Sequence, residues 1–341
     1  MKSKPHQSCL KNSEEDDLES SYCWTPERTL EMMKSQDTLE DNWVEEGLPK
    51  LIDEIMENYE KYAGMSHLEG RDLPSKQVVI EVLEELLSVI FPGYVGKTEI
   101  TKSDVRYFLN NTLNSIYSRF VDEVEKSLKY ACRSLKECPS DVCHRMAQVV
   151  VEELLEKIPE IRANLSGDIQ AAYDGDPAAK STDEVFLSYP CVVAIGTYRI
   201  AHELYVRAVP LIPRIMTEFA HSQTGIDIHP GARIGKNFFI DHGTGVVIGE
   251  TTEIGDNVKI YPGVTLGAMS FPKDDKGQII KGRKRHPTVG NNVVIYSGAT
   301  ILGGSTIIGD GAVIGGNAWI TCSIPPTTKV NSFTAESGIK E

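Results

Sequence analysis

The sequence has 341 residues, 40% of them apolar and 25% charged, and its 35 Lys+Arg against 49 Asp+Glu leave a formal net charge of −14. That length admits two domains and a sizeable core. The acidic balance argues against nucleic acid or an anionic membrane as partner, because both reward cationic surfaces, and no apolar run reaches the roughly 18–20 residues that span a bilayer.

Residues 1–40 are polar, acidic and without sustained periodicity, which predicts a disordered tail. Five acids fall within Glu14–Glu19, and no apolar core region precedes them. Neither feature suits a secretory signal or a transit peptide, so a cytoplasmic protein is expected. The seven cysteines (9, 23, 132, 138, 143, 191 and 322) are scattered and contain no CxxC. Reduced thiols fit better than a disulfide framework or a zinc site.

From 41 to 224 the apolar spacing is helical. Val44, Leu48, Leu51, Ile52, Ile55 and Met56 recur at intervals of three and four, as do Val78, Val82, Leu83, Leu86, Leu87 and Ile90. Such a stripe requires a partner helix. The second run follows Pro74-Ser75, a start signal, and stops at Phe91-Pro92-Gly93. Further helices are predicted near 103–117, 119–135, 141–157 and 160–173, with two more after Pro190 and Pro213.

Near Gly225 the period changes. Aliphatic residues fall at Ile228, Ile234 and Ile240, then at Ile248, Ile254, Ile260 and Leu266. They resume at Val289, Ile295, Ile301, Ile308, Ile314 and Ile320. Most steps are six residues, a period that fits neither an amphipathic helix nor an alternating strand and marks a parallel β-helix. The predicted fold class is therefore α + β: a helical domain over 41–224, a β-helix over 225–325 and a tail over 326–341. Cys322 falls in the last coil, where a small apolar filler is expected.

Departures from the period are informative, since a regular solenoid usually breaks its repeat where something binds. Ile240 to Ile248 is two residues too long, the surplus lying in Asp241-His242-Gly243-Thr244-Gly245. Leu266 to Val289 leaves an excursion over 268–288, and Ile301 to Ile308 carries one extra residue beside Gly303-Gly304. With three hexapeptides per coil, His242 falls on the third face of the first coil, and Asp227 closes the third face of the turn before. The two are then about 4.8 Å apart. A carboxylate there fixes the imidazole tautomer and leaves the other nitrogen as a general base, typically worth around 10²–10⁴ in rate. The alternative is a surface histidine beside a turn residue. Asp241 either anchors a substrate ammonium or caps a turn. The run Lys281-Gly282-Arg283-Lys284-Arg285-His286-Pro287 either holds an anion, such as a carboxylate or the phosphates of a nucleotide-bearing carrier, or is a solvated loop.

Taken together, Asp227-Ile228-His229-Pro230, Ile240-Asp241-His242-Gly243-Thr244-Gly245, Val247-Ile248-Gly249-Glu250-Thr251, Val264-Thr265-Leu266-Gly267 and Arg285-His286-Pro287 resemble, in order, the motifs of serine O-acetyltransferases. The likeness extends upstream through Asp176-Pro177-Ala178 and Tyr198-Arg199-Ile200-Ala201-His202, and is close over about 150–325. It implies a left-handed β-helix, trimers joined through the β-helices with active sites between subunits, and commonly a hexamer joined through the helical domains. It implies acetyl transfer from acetyl-CoA to L-serine, the first committed step to cysteine, with no permanently bound cofactor and no metal. Carried over by motif, His242 is the general base and Asp227 its orienting partner. Asp176 and Asp241 face the serine ammonium, and Arg285 and His286 hold the carboxylate. Gly267, Ala268 and Lys284 lie along the acetyl-CoA, with the backbone beside Gly267 a candidate oxyanion donor. L-cysteine is implied as a feedback inhibitor.

Two departures from the family pattern stand out. Ala268 replaces the second glycine that many members carry, and the following loop is longer, in the Ser-Phe-Pro-Lys-Asp form also known for this activity. The terminal Ser337-Gly338-Ile339-Lys340-Glu341 lacks the isoleucine end that many members insert into O-acetylserine sulfhydrylase, so that complex is not expected. Three competing readings remain. One is a γ-carbonic-anhydrase-like zinc enzyme using His229, His242 and His286; another is an acetyltransferase for a sugar or another acceptor; the third is a non-catalytic scaffold.

Overall fold

The computed structural model describes residues 26–27, 30–31, 43–68, 73–96, 99–132, 140–270, 274–278, 280 and 282–331. Apart from four positions, the predicted tail over 1–40 lies outside them. So do the terminal residues 332–341, on which the sulfhydrylase expectation rests. The chain divides into two compact units, residues 1–70 and 71–341.

In the first unit a π-helical turn, Trp43–Gly47, leads into α1 (Leu48–Lys61) and a 3-10 turn, Ala63–Met65. The apolar stripe read from the sequence is present, and Leu51, Ile52, Ile55 and Met56 remain exposed.

The second unit begins with six helices. These are α2 (Lys76–Ile90), α3 (Val105–Cys132), α4 (Ser140–Gly175), α5 (Thr182–Ser188), α6 (Pro190–Val206) and α7 (Ile212–Thr224). Ser75 caps α2, its hydroxyl accepting from the Val78 amide, and Val79, Val82, Leu83, Leu86 and Ile90 form its buried face. Four predicted segments prove to be two helices. α4 runs unbroken through Pro159, across the gap between the predicted segments 141–157 and 160–173. Leu154, Ile161 and Leu165 are buried on either side of that proline, and packing overrides the local preference.

Fourteen short strands follow: β1 (Asp227–Ile228), β2 (Arg233–Ile234), β3 (Phe239–Ile240), β4 (Val247–Ile248), β5 (Glu253–Ile254), β6 (Lys259–Ile260), β7 (Thr265–Gly267), β8 (Thr288–Val289), β9 (Val294–Ile295), β10 (Thr300–Leu302), β11 (Ile307–Ile308), β12 (Val313–Ile314), β13 (Trp319–Ile320) and β14 (Lys329–Val330). They stack in parallel as three sheets, β1-β4-β7-β10-β13, β2-β5-β8-β11 and β3-β6-β9-β12-β14. Through β13 every third strand returns to the same sheet, so the chain coils into a β-helix; an isolated bridge from Ile324 to Ile308 then takes the next second-sheet place, and β14 pairs with β12. The register places like on like: Ile228 under Ile248 under Leu266, and Ile240 under Ile260 under Ile295. These aliphatic columns are buried, and each fully buried side chain is worth about 1.5–3 kcal/mol. Cys322 is exposed beyond β13, so it does not fill the core.

The corner between the second and third sheets shows why the coil turns so regularly. Asn237, Asn257 and Asn292 each adopt φ near +56°, a left-handed conformation that asparagine tolerates better than most residues. Their amides stack, Asn237 donating to Asn257 at 2.8 Å and Asn257 to Asn292 at 3.1 Å.

A buried ion pair fastens the helices to the first coil. Arg199 of α6 grips Asp168 of α4 through two bonds of 2.7 and 2.8 Å, then donates to the Gly235 carbonyl at 2.9 Å. The Phe238 amide donates to the same carboxylate at 2.8 Å. Burial pushes the Asp168 carboxyl up, against the Arg199 charge and the Phe238 amide.

Candidate active site

His242 stands at the corner between the third and first sheets, in the loop joining β3 to β4. Its backbone is left-handed (φ 55°), followed by Gly243 (φ 91°) and Gly245 (φ 80°). A side chain at Gly243 would meet Ile226 Cδ1 at 2.4 Å, so the loop lies flat on the coil below. The imidazole is thrown outward and its side chain is 77% exposed. In the other coils this corner places Gly263, Gly298 and Asn317 in the left-handed conformation, and Gly245 takes that place here, so His242 is an additional left-handed residue carried by the surplus positions. Strain of that kind collects at functional positions.

Asp227 opens the first face rather than closing the third. It belongs to β1 and pairs in register with Val247 of β4. It still flanks the His242 corner, because its amide donates to the Val246 carbonyl at 2.9 Å. A face begins one residue before its inward aliphatic side chain, so Asp227 shares β1 with Ile228 instead of belonging to the turn before. Neither a hydrogen bond nor an ion pair joins the Asp227 and His242 side chains, and Nε2 of His242 lies 3.6 Å from Oδ1 of Asp241 instead. Burial raises the Asp227 carboxyl above its ordinary value, with His221, Glu218 and Arg214 of α7 acting on it as well.

Two further carboxylates border this corner. Asp241 is buried (7% exposed) and its Oδ2 lies 3.0 Å from Nζ of Lys259. Asp176, just beyond α4, accepts from the Tyr189 hydroxyl at 2.5 Å and from the Ala178 amide at 2.8 Å. The Tyr189 bond holds the Asp176 carboxyl below its usual range, and the charges of Lys259 and His242 act in the same direction. Asp176, Asp241 and His242 thus come together as one group.

Arg285 and His286 are not part of that group within a single chain. They precede β8, at the corner between the first and second sheets, beside Glu250 and Thr251 ahead of β5. Arg285 forms an ion pair with Glu250, which also accepts from the Tyr205 hydroxyl at 2.6 Å. Burial pushes the Glu250 carboxyl up, but the Tyr205 and Arg285 contacts outweigh it and leave it lowered. His286 is 7% exposed. Its Nδ1 accepts from the Thr251 amide at 3.0 Å and contacts the Thr251 hydroxyl at 2.9 Å. That hydroxyl oxygen also accepts from the amides of Arg285 (2.9 Å) and His286 (3.1 Å). Nδ1 is therefore an acceptor and the proton sits on Nε2. Burial pushes the His286 imidazole down to about 4, so near neutrality this corner presents a neutral N–H donor beside a guanidinium.

The excursion returns over the third irregularity. A Cβ at Gly304 would meet the Lys284 carbonyl oxygen at 2.6 Å, which accounts for the glycine pair beside the extra residue. A cavity of about 390 Å³ lies along α4 and β6, lined among others by Gly175, Phe239 and Lys259. A second of about 370 Å³ lies under the excursion, between Met269, Arg283, Lys284, Arg285, Gly303 and Gly304. Gly267 ends β7, its carbonyl accepting from the Gly303 amide at 3.1 Å, and Ala268 is half-buried next to it. Nζ of Lys284 donates to the Thr251 carbonyl at 2.7 Å and lies 3.3 Å from Glu253.

The three histidines weighed as zinc ligands do not converge in one chain. His229 Nδ1 accepts from the Gly231 amide at 3.0 Å, His286 Nδ1 is bonded to Thr251, and His242 stands at another corner. Among the described residues no three His, Cys, Asp or Glu are placed to share a metal. Lys259, Tyr189, Glu250 and Thr251 were not singled out as site residues from the sequence. Nothing in the sequence sets Lys259 apart: it occupies the outward position of β6, as a solvated lysine would.

No protein-family model matches the chain. The plasmid serine acetyltransferase of Synechococcus elongatus is 45% identical over 270 residues, covering 79% of this chain and 83% of that protein. The serine acetyltransferase of Mycobacterium tuberculosis is 49% identical over 166 residues, covering 49% of this chain and 68% of that protein. Among solved structures, Entamoeba histolytica serine acetyltransferase 1 in complex with L-cysteine superposes with a TM-score of 0.62 at 40% identity, covering 73% of this chain and 85% of that chain. Resemblance at this level over most of both chains, together with the three-sheet coil and its interrupted corners, makes the chain a member of the serine acetyltransferase family of hexapeptide-repeat acyltransferases.

Proposed function

We propose that the chain is a serine O-acetyltransferase, transferring the acetyl group of acetyl-CoA to the hydroxyl of L-serine to give O-acetyl-L-serine and CoA, the first step of cysteine biosynthesis. The observation that carries this reading is the outward imidazole of His242 beside the carboxylates of Asp241 and Asp176. A general base next to two anions suits an acceptor that carries an ammonium close to its nucleophile. A neutral sugar would bring no charge of its own to meet them.

His242 removes the hydroxyl proton as the serine oxygen attacks the thioester carbonyl. The new C–O bond forms, the C–S bond breaks, and the thiolate regains its proton from the imidazolium. Asp227 steadies the cationic ring, which requires the imidazole to turn from Asp241 toward β1. The oxyanion that develops needs preorganised donors, and the backbone beside Gly267 is the candidate. Arg285 and the Nε2–H of His286 take the serine carboxylate. Gly267, Ala268 and Lys284 border the acetyl-CoA, for which the cavity under the excursion is the nearest room.

One chain offers the ammonium-side groups at one corner and the carboxylate-side groups at the next, about 15–20 Å away along a face. We therefore assign the site to the boundary between copies in a trimer, with two trimers joined through the helical domains. L-cysteine, the ligand of the Entamoeba relative, would occupy the serine pocket. No helix among the described residues is long and apolar enough to cross a membrane, and the activity is assigned to the cytoplasm.

Thiol release from acetyl-CoA, followed colorimetrically, is expected with L-serine and not with hexoses. His242→Ala should lower kcat by about 10²–10⁴. Activity with a hexose but none with L-serine would overturn the reading. If sites lie between copies, co-refolding inactive His242→Ala and His286→Ala chains in equal amounts restores about a quarter of wild-type activity, since half of each corner type is intact. No recovery in mixed trimers would place the whole site in one chain.

A further inference from the structure

Lys259 belongs to none of the roles above, yet four contacts converge on its ammonium. It lies 3.0 Å from Asp241 Oδ2, donates to the Gly175 carbonyl at 2.7 Å, and sits over the Tyr261 and Phe239 rings at 4.4 and 4.9 Å from their centroids. Asp241 directly precedes the general base, and Gly175 ends α4 immediately before Asp176. The two carboxylates assigned to the amino-acid ammonium thus come from separate elements, a solenoid corner and a helix end, and one side chain ties both.

We propose that Lys259 is a positioning residue that fixes Asp241 and the Gly175–Asp176 turn relative to one another, and so sets the affinity for the acceptor's ammonium. This rests on the serine reading above. Two physical effects decide the direction. The Lys259 charge is already committed to Asp241, to the negative end of α4 and to two ring faces, so it offers an incoming ammonium little repulsion. Without Lys259, Asp241 loses its closest cation and its tie to the end of α4, so the carboxylate is no longer held where the ammonium needs it.

The test is steady-state kinetics of Lys259→Met, which keeps the stem and removes the charge. KM for L-serine should rise about tenfold or more, with kcat changed less than about threefold and KM for acetyl-CoA unchanged. Lys259→Arg, which retains a donor, should restore part of the loss. A purely structural role would lower the active fraction or the melting temperature without this split. An unchanged serine KM would overturn the proposal, as would a fall in kcat alone. A lower serine KM would also overturn it, by showing that repulsion between Lys259 and the substrate dominates. Wild-type protein inactive with L-serine would remove the functional reading itself, so the two failures are distinguishable.

Discussion

The Thr251 hydroxyl gives the most direct test of how the carboxylate corner works. Its oxygen lies 2.9 Å from Nδ1 of His286 and accepts from the amides of Arg285 and His286 at 2.9 and 3.1 Å. Thr251→Val keeps the shape and the Thr251 amide bond to Nδ1 but orphans both of those backbone donors. An unsatisfied buried donor costs about 1–3 kcal/mol, and a loosened Nε2–H donor to a carboxylate forfeits a charge-assisted bond worth about 1.5–3 kcal/mol. The second figure corresponds to a loss of about 10–150-fold in kcat/KM for L-serine, carried mainly by KM. Gly249→Ala perturbs the same ring from the opposite side, because its Cβ would fall 2.1 Å from Cδ2 and 2.2 Å from Nε2 of His286. Both variants should weaken serine binding and also lower the melting temperature, Thr251→Val through the two orphaned donors and Gly249→Ala through the displaced ring. A serine KM within twofold of wild type in both would refute the claim that His286 orientation limits binding.

Two predictions concern stability. Arg199→Met strands the Asp168 carboxylate among helices and should cost about 3–5 kcal/mol by denaturant titration, whereas Arg199→Met with Asp168→Leu should recover much of it; equal losses in both would show that the pair contributes packing alone. The second follows from burial, which holds the imidazoles of His229 and His286 at about 4, against an ordinary 6.5. Between those values the unfolded chain binds protons that the folded chain refuses, so stability is highest above about pH 6.5 and falls as pH drops toward 4. Asp227, whose carboxyl is raised, offsets part of this slope. Melting temperatures at pH 7.5, 5.5 and 4.5 should decline, and less steeply in His286→Gln; a flat profile between pH 6.5 and 4.5 would contradict neutral buried imidazoles.

The β-helix was legible because its cause is local and periodic. Each inward position must hold an aliphatic side chain narrow enough for the prism, so the thirteen aliphatic positions from Ile228 to Ile320 can be read off at intervals of about six, and each lies in a strand. The site was legible only where a departure from the period marked it, at His242, at the excursion and at Gly303-Gly304. What stayed hidden depends on which elements meet. Thr251 resembles any turn threonine until the excursion brings His286 back over it. Lys259 resembles any solvated lysine until the end of α4 arrives at its ammonium. The face of Asp227 differs from the expectation because each two-residue strand starts one residue before its inward aliphatic, so a count that opens the first face at Ile228 leaves Asp227 one face too early. The gap between 141–157 and 160–173 closes for a related reason: local propensity disfavours Pro159 inside a helix, and burial of Leu154, Ile161 and Leu165 overrides it.

An amino acid carries its ammonium and carboxylate on one carbon, so the groups that bind them must lie within a few ångströms of each other. Here the carboxylates of Asp176 and Asp241 flank the corner between the third and first sheets. Arg285 and His286 flank the corner between the first and second. A rigid prism cannot bend to bring its own corners together, because every coil is locked in register to the next by the parallel ladders. On the serine reading proposed above, the other half of the site would come from another copy, which presents the complementary corner without any new residue being needed. Rotational symmetry then makes as many complete sites as there are copies in the ring, which a pairing of like corners could not do. Trp319 and Val247, both outward-facing and exposed on first-sheet strands between these corners, supply apolar surface where such a boundary would close.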